Sequence, residues 1–115
     1  MKYLLVIYSN EKAYAALPPE DAKRGYEAYM AYTEALKKAG AHVAGERLQP
    51  TSTATTVRTT NGKAQVLNGP YSETKEQLGG FYMIDVPDLD AALAWAARCP
   101  AVQHGVVEVR PLWVY

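Results

Sequence analysis

A short run near the start, "KYLLVIY" at residues 2–8, limits the fold of this 115-residue chain more than any other feature. Its aromatic and branched residues read as a β-strand, and successive side chains of a strand point to opposite faces. Tyr3, Leu5 and Ile7 share one face, and Leu4, Val6 and Tyr8 share the other. Both rows are apolar, so both faces of the sheet must be covered. The chain is one domain, residues 1–115, long enough to bury roughly two-thirds of the surface that its unfolded form exposes.

The rest of the pattern shows how much cover is available. "LPPEDAKRGYEAYMAYTEALKKAGAH" predicts a helix of about twenty residues. Pro18 and Pro19 sit at its start, Glu20 and Asp21 in its first turn, Lys37 and Lys38 in its last, and Gly40 at its close. Ala22, Tyr26, Tyr29, Thr33 and Leu36 recur at three and four as the stripe expected to face the sheet, with Tyr32 outside it. "AHVAGERL" follows as a strand weakened by Gly45. "TATTVRTTNGKAQVL" is a hairpin around Asn61-Gly62, two residues that tolerate the positive φ of a type I′ turn. "GGFYMIDV" is a further strand, with Phe81 and Met83 opposite Tyr82, Ile84 and Val86. Pro87-Asp88 opens a second helix whose stripe is Leu89, Leu93 and Ala96, and "GVVEVRPLWVY" is the last strand with an aromatic tail.

This β-α-β-hairpin-β-α-β order predicts an α+β fold of the ferredoxin-like kind, an antiparallel sheet with two helices on one face. Two helices leave the second face bare. A second copy packed sheet to sheet, with Leu112, Trp113, Val114 and Tyr115 as a clasp, would cover it, so a homodimer is expected.

Composition removes several function classes. Twelve Lys and Arg balance twelve Asp and Glu, which leaves no field to attract nucleic acid or an anionic membrane, and neither is an expected partner. The opening apolar run is too short for a signal peptide or a membrane span, so a cytoplasmic location is expected. Cys99 is the lone cysteine, which excludes an internal disulfide; at a helix end it reads as a buried, inert thiol. His42 and His104 stand apart from any spaced carboxylates, so no metal site is expected. No phosphate-cradling glycine pattern precedes a helix, and no cofactor is expected.

The candidate chemistry lies in "NGPYSETKEQLGGFYMIDVPD", residues 68–88. If Ser72 caps a helical turn, Glu73 and Glu76 lie one turn apart and could form an acid–base couple. Otherwise Glu73 only steadies that turn, with Lys75 and Glu76 solvated. Asn68-Gly69-Pro70 reads as a rigid turn and a platform for a site. Gly79-Gly80 would let backbone approach a ligand closely. Arg58, on a strand of threonine and valine, could clamp an anion. Asp85 is an acid within an apolar strand, either a buried base or a strand-end carboxylate with a partner. Nine tyrosines against one phenylalanine could pack the core or line a pocket with hydroxyls, Tyr82 among them. Glu73 and Asp85 are therefore the catalytic candidates, and Arg58, Asn68, Tyr71, Lys75 and Tyr82 the ligand-binding ones.

Gly69-Pro70, Glu73-Thr74-Lys75-Glu76 and Gly79-Gly80-Phe81, with the "KYLLVIY" opening and the "EVRPL" ending, resemble the DGPF-type branch of the YCII-related domain family over essentially the whole chain. The resemblance implies a ferredoxin-like fold assembled as a dimeric α+β barrel. It also implies a possible link to an extracytoplasmic-function sigma factor pathway. Two positions depart from the motif: Asn68 stands where the branch has Asp, and Tyr71 where it has Phe. An amide does not titrate, so Asn68 can hold a turn but cannot carry a proton. The histidine–aspartate pair of more distant relatives has no counterpart in sequence near the first strand–helix junction. Two functions remain in view: a dimeric small-molecule-binding or regulatory-partner protein, and an isomerase- or lyase-type enzyme using acid–base catalysis on a small molecule.

Overall fold

The computed structural model describes all residues, 1–115. Strand β1 (Lys2–Ser9) leads into a short helix α1 (Glu11–Ala15) and the long helix α2 (Pro19–Lys38). Strand β2 (His42–Arg47), the hairpin β3 (Thr55–Thr60) and β4 (Lys63–Asn68), strand β5 (Gln77–Asp85), helix α3 (Leu89–Arg98) and strand β6 (Gly105–Pro111) complete the chain. The sheet order is β2-β5-β1-β6 with every pairing antiparallel, which is the ferredoxin-like α+β arrangement with a hairpin inserted before β5.

Local signals explain most boundaries. Gly40, at φ 71°, ends α2: the Gly40 N–H donates to the Lys37 carbonyl and the Ala41 N–H to the Leu36 carbonyl, a Schellman closure. Asp88 caps α3, its carboxylate accepting from the Ala91 N–H at 2.9 Å. Asn61 and Gly62 both take positive φ, 52° and 77°, in the hairpin turn. The segment between β1 and α2 is more than a loop: Asn10 caps α1 by accepting from the Ala13 N–H.

The core lies on one face of the sheet. Leu5, Leu36, Ile84 and Cys99 are fully buried there, with Tyr3, Ile7, Tyr32 and Tyr82 around them. Two helix stripes differ from expectation. On α2 it is Tyr32 that is buried while Tyr26 is exposed. A row through Tyr29, Tyr32 and Leu36 keeps the large rings over the sheet, and the Tyr32 hydroxyl donates to the Trp95 carbonyl at 2.7 Å. On α3 the small Ala92 and Ala96 face the sheet, and Leu89 and Leu93 are about half exposed. Alanines allow close approach of helix to sheet, and the neighbouring Tyr32 and Tyr82 rings fill the space that leucines would take.

The other sheet face, which carries Leu4, Val6, Phe81 and Met83, has no helix on it. The hairpin stands away from this body, its strands packing chiefly on each other, and every residue of β4 is exposed. The molecule measures 47 × 45 × 19 Å with a radius of gyration of 16.1 Å, against about 13 Å for a compact chain of this length. Its accessible surface is 8371 Å², whereas about 6,200 Å² is usual for a folded monomer of this mass. Little more than half of the unfolded chain's surface is removed from water, short of the two-thirds expected from length, and the exposed large apolar side chains include Val57, Val66 and Leu67 of the arm and Trp113, Val114 and Tyr115 of the tail.

Candidate functional site

A cleft of ≈ 670 Å³ opens where the hairpin meets the body. Tyr8 and Leu78 come from the sheet, one wall is residues 48–56, and the other is residues 70–77. Tyr71, Ser72, Thr74, Glu76 and Gln77 of the polar loop all face it. Half of its sixteen lining residues carry a hydroxyl, two carry a side-chain amide, and Glu76 is the one charged residue among them.

Hydrogen bonds tie the walls together at the N-terminus of α1. The Glu11 carboxylate accepts from the Thr51 N–H at 3.1 Å and from the Thr51 hydroxyl, while the Glu11 N–H donates to the Gln77 side-chain carbonyl at 3.0 Å. Gln77 Nε2 donates in turn to the Thr74 carbonyl, and the Thr74 hydroxyl to the Glu76 carbonyl. Each wall of the cleft is thus fixed to the same end of β1. Glu11 and Thr51 carry no signal of this role in the sequence, because the contact joins residues forty positions apart. At the hairpin base, the Gly69 N–H donates to the Ala54 carbonyl and the Thr56 hydroxyl to the Gly69 carbonyl, both at 2.8 Å.

The sequence-derived candidates separate into three places. Arg58 and Tyr71 come together, the guanidinium 5.6 Å from the ring centroid, with Tyr71 on the cleft wall. Asn68 ends β4, exposed and outside the lining; Gly69, at φ 107°, makes the turn. Residues 72–76 form no helical turn, so Ser72 caps nothing and Glu73 and Glu76 are not brought together by helical spacing. Glu76 lines the cleft, whereas Glu73 and Lys75 are exposed outside its lining. Tyr82 is in the core, its hydroxyl 2.9 Å from that of Thr33. Asp85 lies at the far end of β5, half exposed and 3.1 Å from the Met1 ammonium, about 25 Å along the strand from Gln77.

Of the glycine pair, Gly80 serves the sheet. A side chain at Gly80 would meet the Glu46 carbonyl oxygen at 2.7 Å, so glycine is required for β2 to pair with β5. Elsewhere, His104 packs 6.3 Å from the Tyr14 ring of α1, and Arg47 stacks over that same ring at 4.9 Å. A histidine therefore does stand beside the first strand–helix junction in space, although none does in sequence.

The groups with displaced proton affinity belong to the core. Burial raises the Tyr29, Tyr32 and Tyr82 hydroxyls above their ordinary value, with the Thr33 hydrogen bond opposing the rise at Tyr82. Burial likewise raises the Cys99 thiol against a backbone hydrogen bond from Ala101. These groups are held neutral, and their hydroxyls and thiol serve packing.

The chain belongs to the YCII-related domain family, whose model matches residues 1–115. It is 38% identical over 117 residues to an uncharacterised protein of Rhizobium meliloti (strain 1021), covering 100% of this chain and 94% of that protein. Its fold is similar to that of the 5-chloro-2-hydroxyhydroquinone dehydrochlorinase of Burkholderia phenoliruptrix AC1100, solved in complex with 2,5-dihydroxybenzoquinone. The TM-score is 0.57 at 16% identity, over 98% of this chain and 94% of that one. No helix is long and apolar enough to cross a membrane.

Proposed function

We propose that the cleft binds a small, oxygen-rich organic molecule, and that the protein is a dimeric small-molecule-binding member of its family. The observation that carries this reading is the lining: hydroxyls and amides on two walls that Glu11, Thr51 and Gln77 hold at a fixed separation. Such a surface offers many hydrogen bonds to a polar ligand, with Tyr8 and Tyr71 supplying flat apolar area. The helix-free sheet face, with Leu4, Val6, Phe81 and Met83 at its centre, supports the two-copy assembly.

Acid–base catalysis on such a ligand is the second reading, favoured by Glu76 in the lining and by the ring compound bound to the dehydrochlorinase of similar fold. Glu76 is then the group placed to accept a proton, ahead of Glu73 and Asp85. A regulatory role beside a sigma factor would place the partner on the arm or the bare sheet face instead.

Thermal unfolding against a panel of small oxygenated ring compounds and hydroxy acids tests the proposal. A ligand at a thousandfold excess over its dissociation constant adds about 4 kcal/mol of stability, and Tyr71→Ala should abolish the shift. Retained binding with lost turnover in Glu76→Gln identifies the enzyme; a changed affinity alone identifies the binder. No stabilisation by any member of the panel would overturn the small-molecule reading.

A further inference from the structure

We propose that the β3–β4 hairpin is an exchanged arm, whose uncharged face seats on a second copy of this chain while that copy's arm seats in return. This rests on the two-copy part of the functional reading and not on the ligand. The pairing register places Thr55 beside Asn68, Val57 beside Val66 and Thr59 beside Ala64, so one face of the ribbon holds no charge at all. Arg58 and Lys63, the only charged residues of the two strands, lie on the opposite face. Val57 and Val66, a directly opposed pair, are 65% and 68% exposed. The ribbon therefore has the alternation of a sheet that covers something, and its own chain offers nothing to cover.

Two physical arguments make the occupant a second copy. An isolated two-stranded hairpin is at best marginally stable in water, so a ribbon this regular needs a partner surface. The bonds at its base, from Gly69 to Ala54 and from Thr56 to Gly69, continue its own ladder by one rung, and its strands pack chiefly on each other. The same chain also leaves without a helix the sheet face of Leu4, Val6, Phe81 and Met83, a half-buried central apolar patch flanked by Glu46 of β2 and by Glu108 and Arg110 of β6. From strand spacing and rise, that face has a plan area of roughly 500 Å², and the ribbon face adds roughly 200 Å². A standard interface removes about 800 Å² from each partner, so the sheet alone falls short and sheet plus arm comes close. A second copy supplies both missing covers in one two-fold contact. Because Thr55, Thr56 and Tyr71 at the arm's base also line the cleft, that contact sets the position of the cleft's outer wall.

Sedimentation equilibrium of the wild type, the Val57→Asp/Val66→Asp double variant and Gln65→Glu tests this. Gln65 lies on the charged face and serves as the control. Far-UV circular dichroism and thermal unfolding establish that each variant keeps its folded body. The expected result is a wild-type dimer, a dissociation constant raised roughly 100-fold or more in the double variant, and no change in Gln65→Glu. A dimer equally tight in the double variant would overturn the exchanged arm and leave the sheet-to-sheet dimer standing. A wild type that is monomeric up to high micromolar concentration would overturn both, without touching the cleft's ligand.

Discussion

The body and the arm of this protein are built from similar β-favouring residues and reach opposite ends of burial. In β1 the pair Leu5 and Ile7 is sealed beneath α2 and α3. In the hairpin, Val57 and Val66 face water with no element above them. The strands differ in what the chain can bring to them: two helices follow β1 and β5 by short connections, while the hairpin is inserted where no helix is left to pack. Apolar pattern specifies that a face will be covered; topology decides whether the same chain does the covering.

This contrast is broken most directly at the core. Leu5→Ala or Leu36→Ala, each at a fully buried site, should cost about 3–5 kcal/mol by urea unfolding. Val57→Ala, at concentrations where the protein is monomeric, should change stability by no more than about 0.5 kcal/mol. A loss at Val57 comparable to that at Leu5 would show that the arm packs on its own body. An intermediate effect is expected at Tyr32→Phe, which leaves the Trp95 carbonyl without its donor and should cost about 1–2 kcal/mol.

Titration separates the regions next. The folded state holds the Tyr29 and Tyr32 hydroxyls above the ordinary value of 10, so it keeps protons that the unfolded chain releases. Their contribution is fully present below pH 10 and is lost as pH rises from there, because the unfolded state ionises first. Stability should therefore decline above pH 10, with Tyr32→Phe flattening the decline. The smallest effect concerns Cys99, buried and with its thiol pushed up. It should resist a thiol-reactive dye in the native protein at pH 8 and react at once in denaturant.

The fold was legible because each of its signals is local. Asn61-Gly62, Gly40 and Asp88 each fix a boundary through their own backbone geometry or a bond to a near neighbour. Helix faces were harder, since the choice between Tyr26 and Tyr32 depends on what lies beneath, and only the assembled core shows that α3 offers alanines there. The polar loop was visible as a candidate wall, and five of its residues do face a cleft. The opposite wall was not visible, because residues 48–56 join the loop through hydrogen bonds between distant positions, those of Glu11 among them, and such bonds leave no spacing pattern in a sequence. Asp85 drew notice as an acid in an apolar strand, yet it is the last residue of that strand, where the side chain reaches the Met1 ammonium.

Amide hydrogen exchange of the wild-type protein over a dilution series tests the division between body and arm most directly. In β1 and β5, protection should approach the global unfolding limit at every concentration at which the body is folded. In β3 and β4 the expected protection is high where two copies associate and falls away on dilution, while the body stays protected. Arm amides that exchange as slowly as those of β1 at every concentration would contradict the account, because the hairpin would then be held by its own chain.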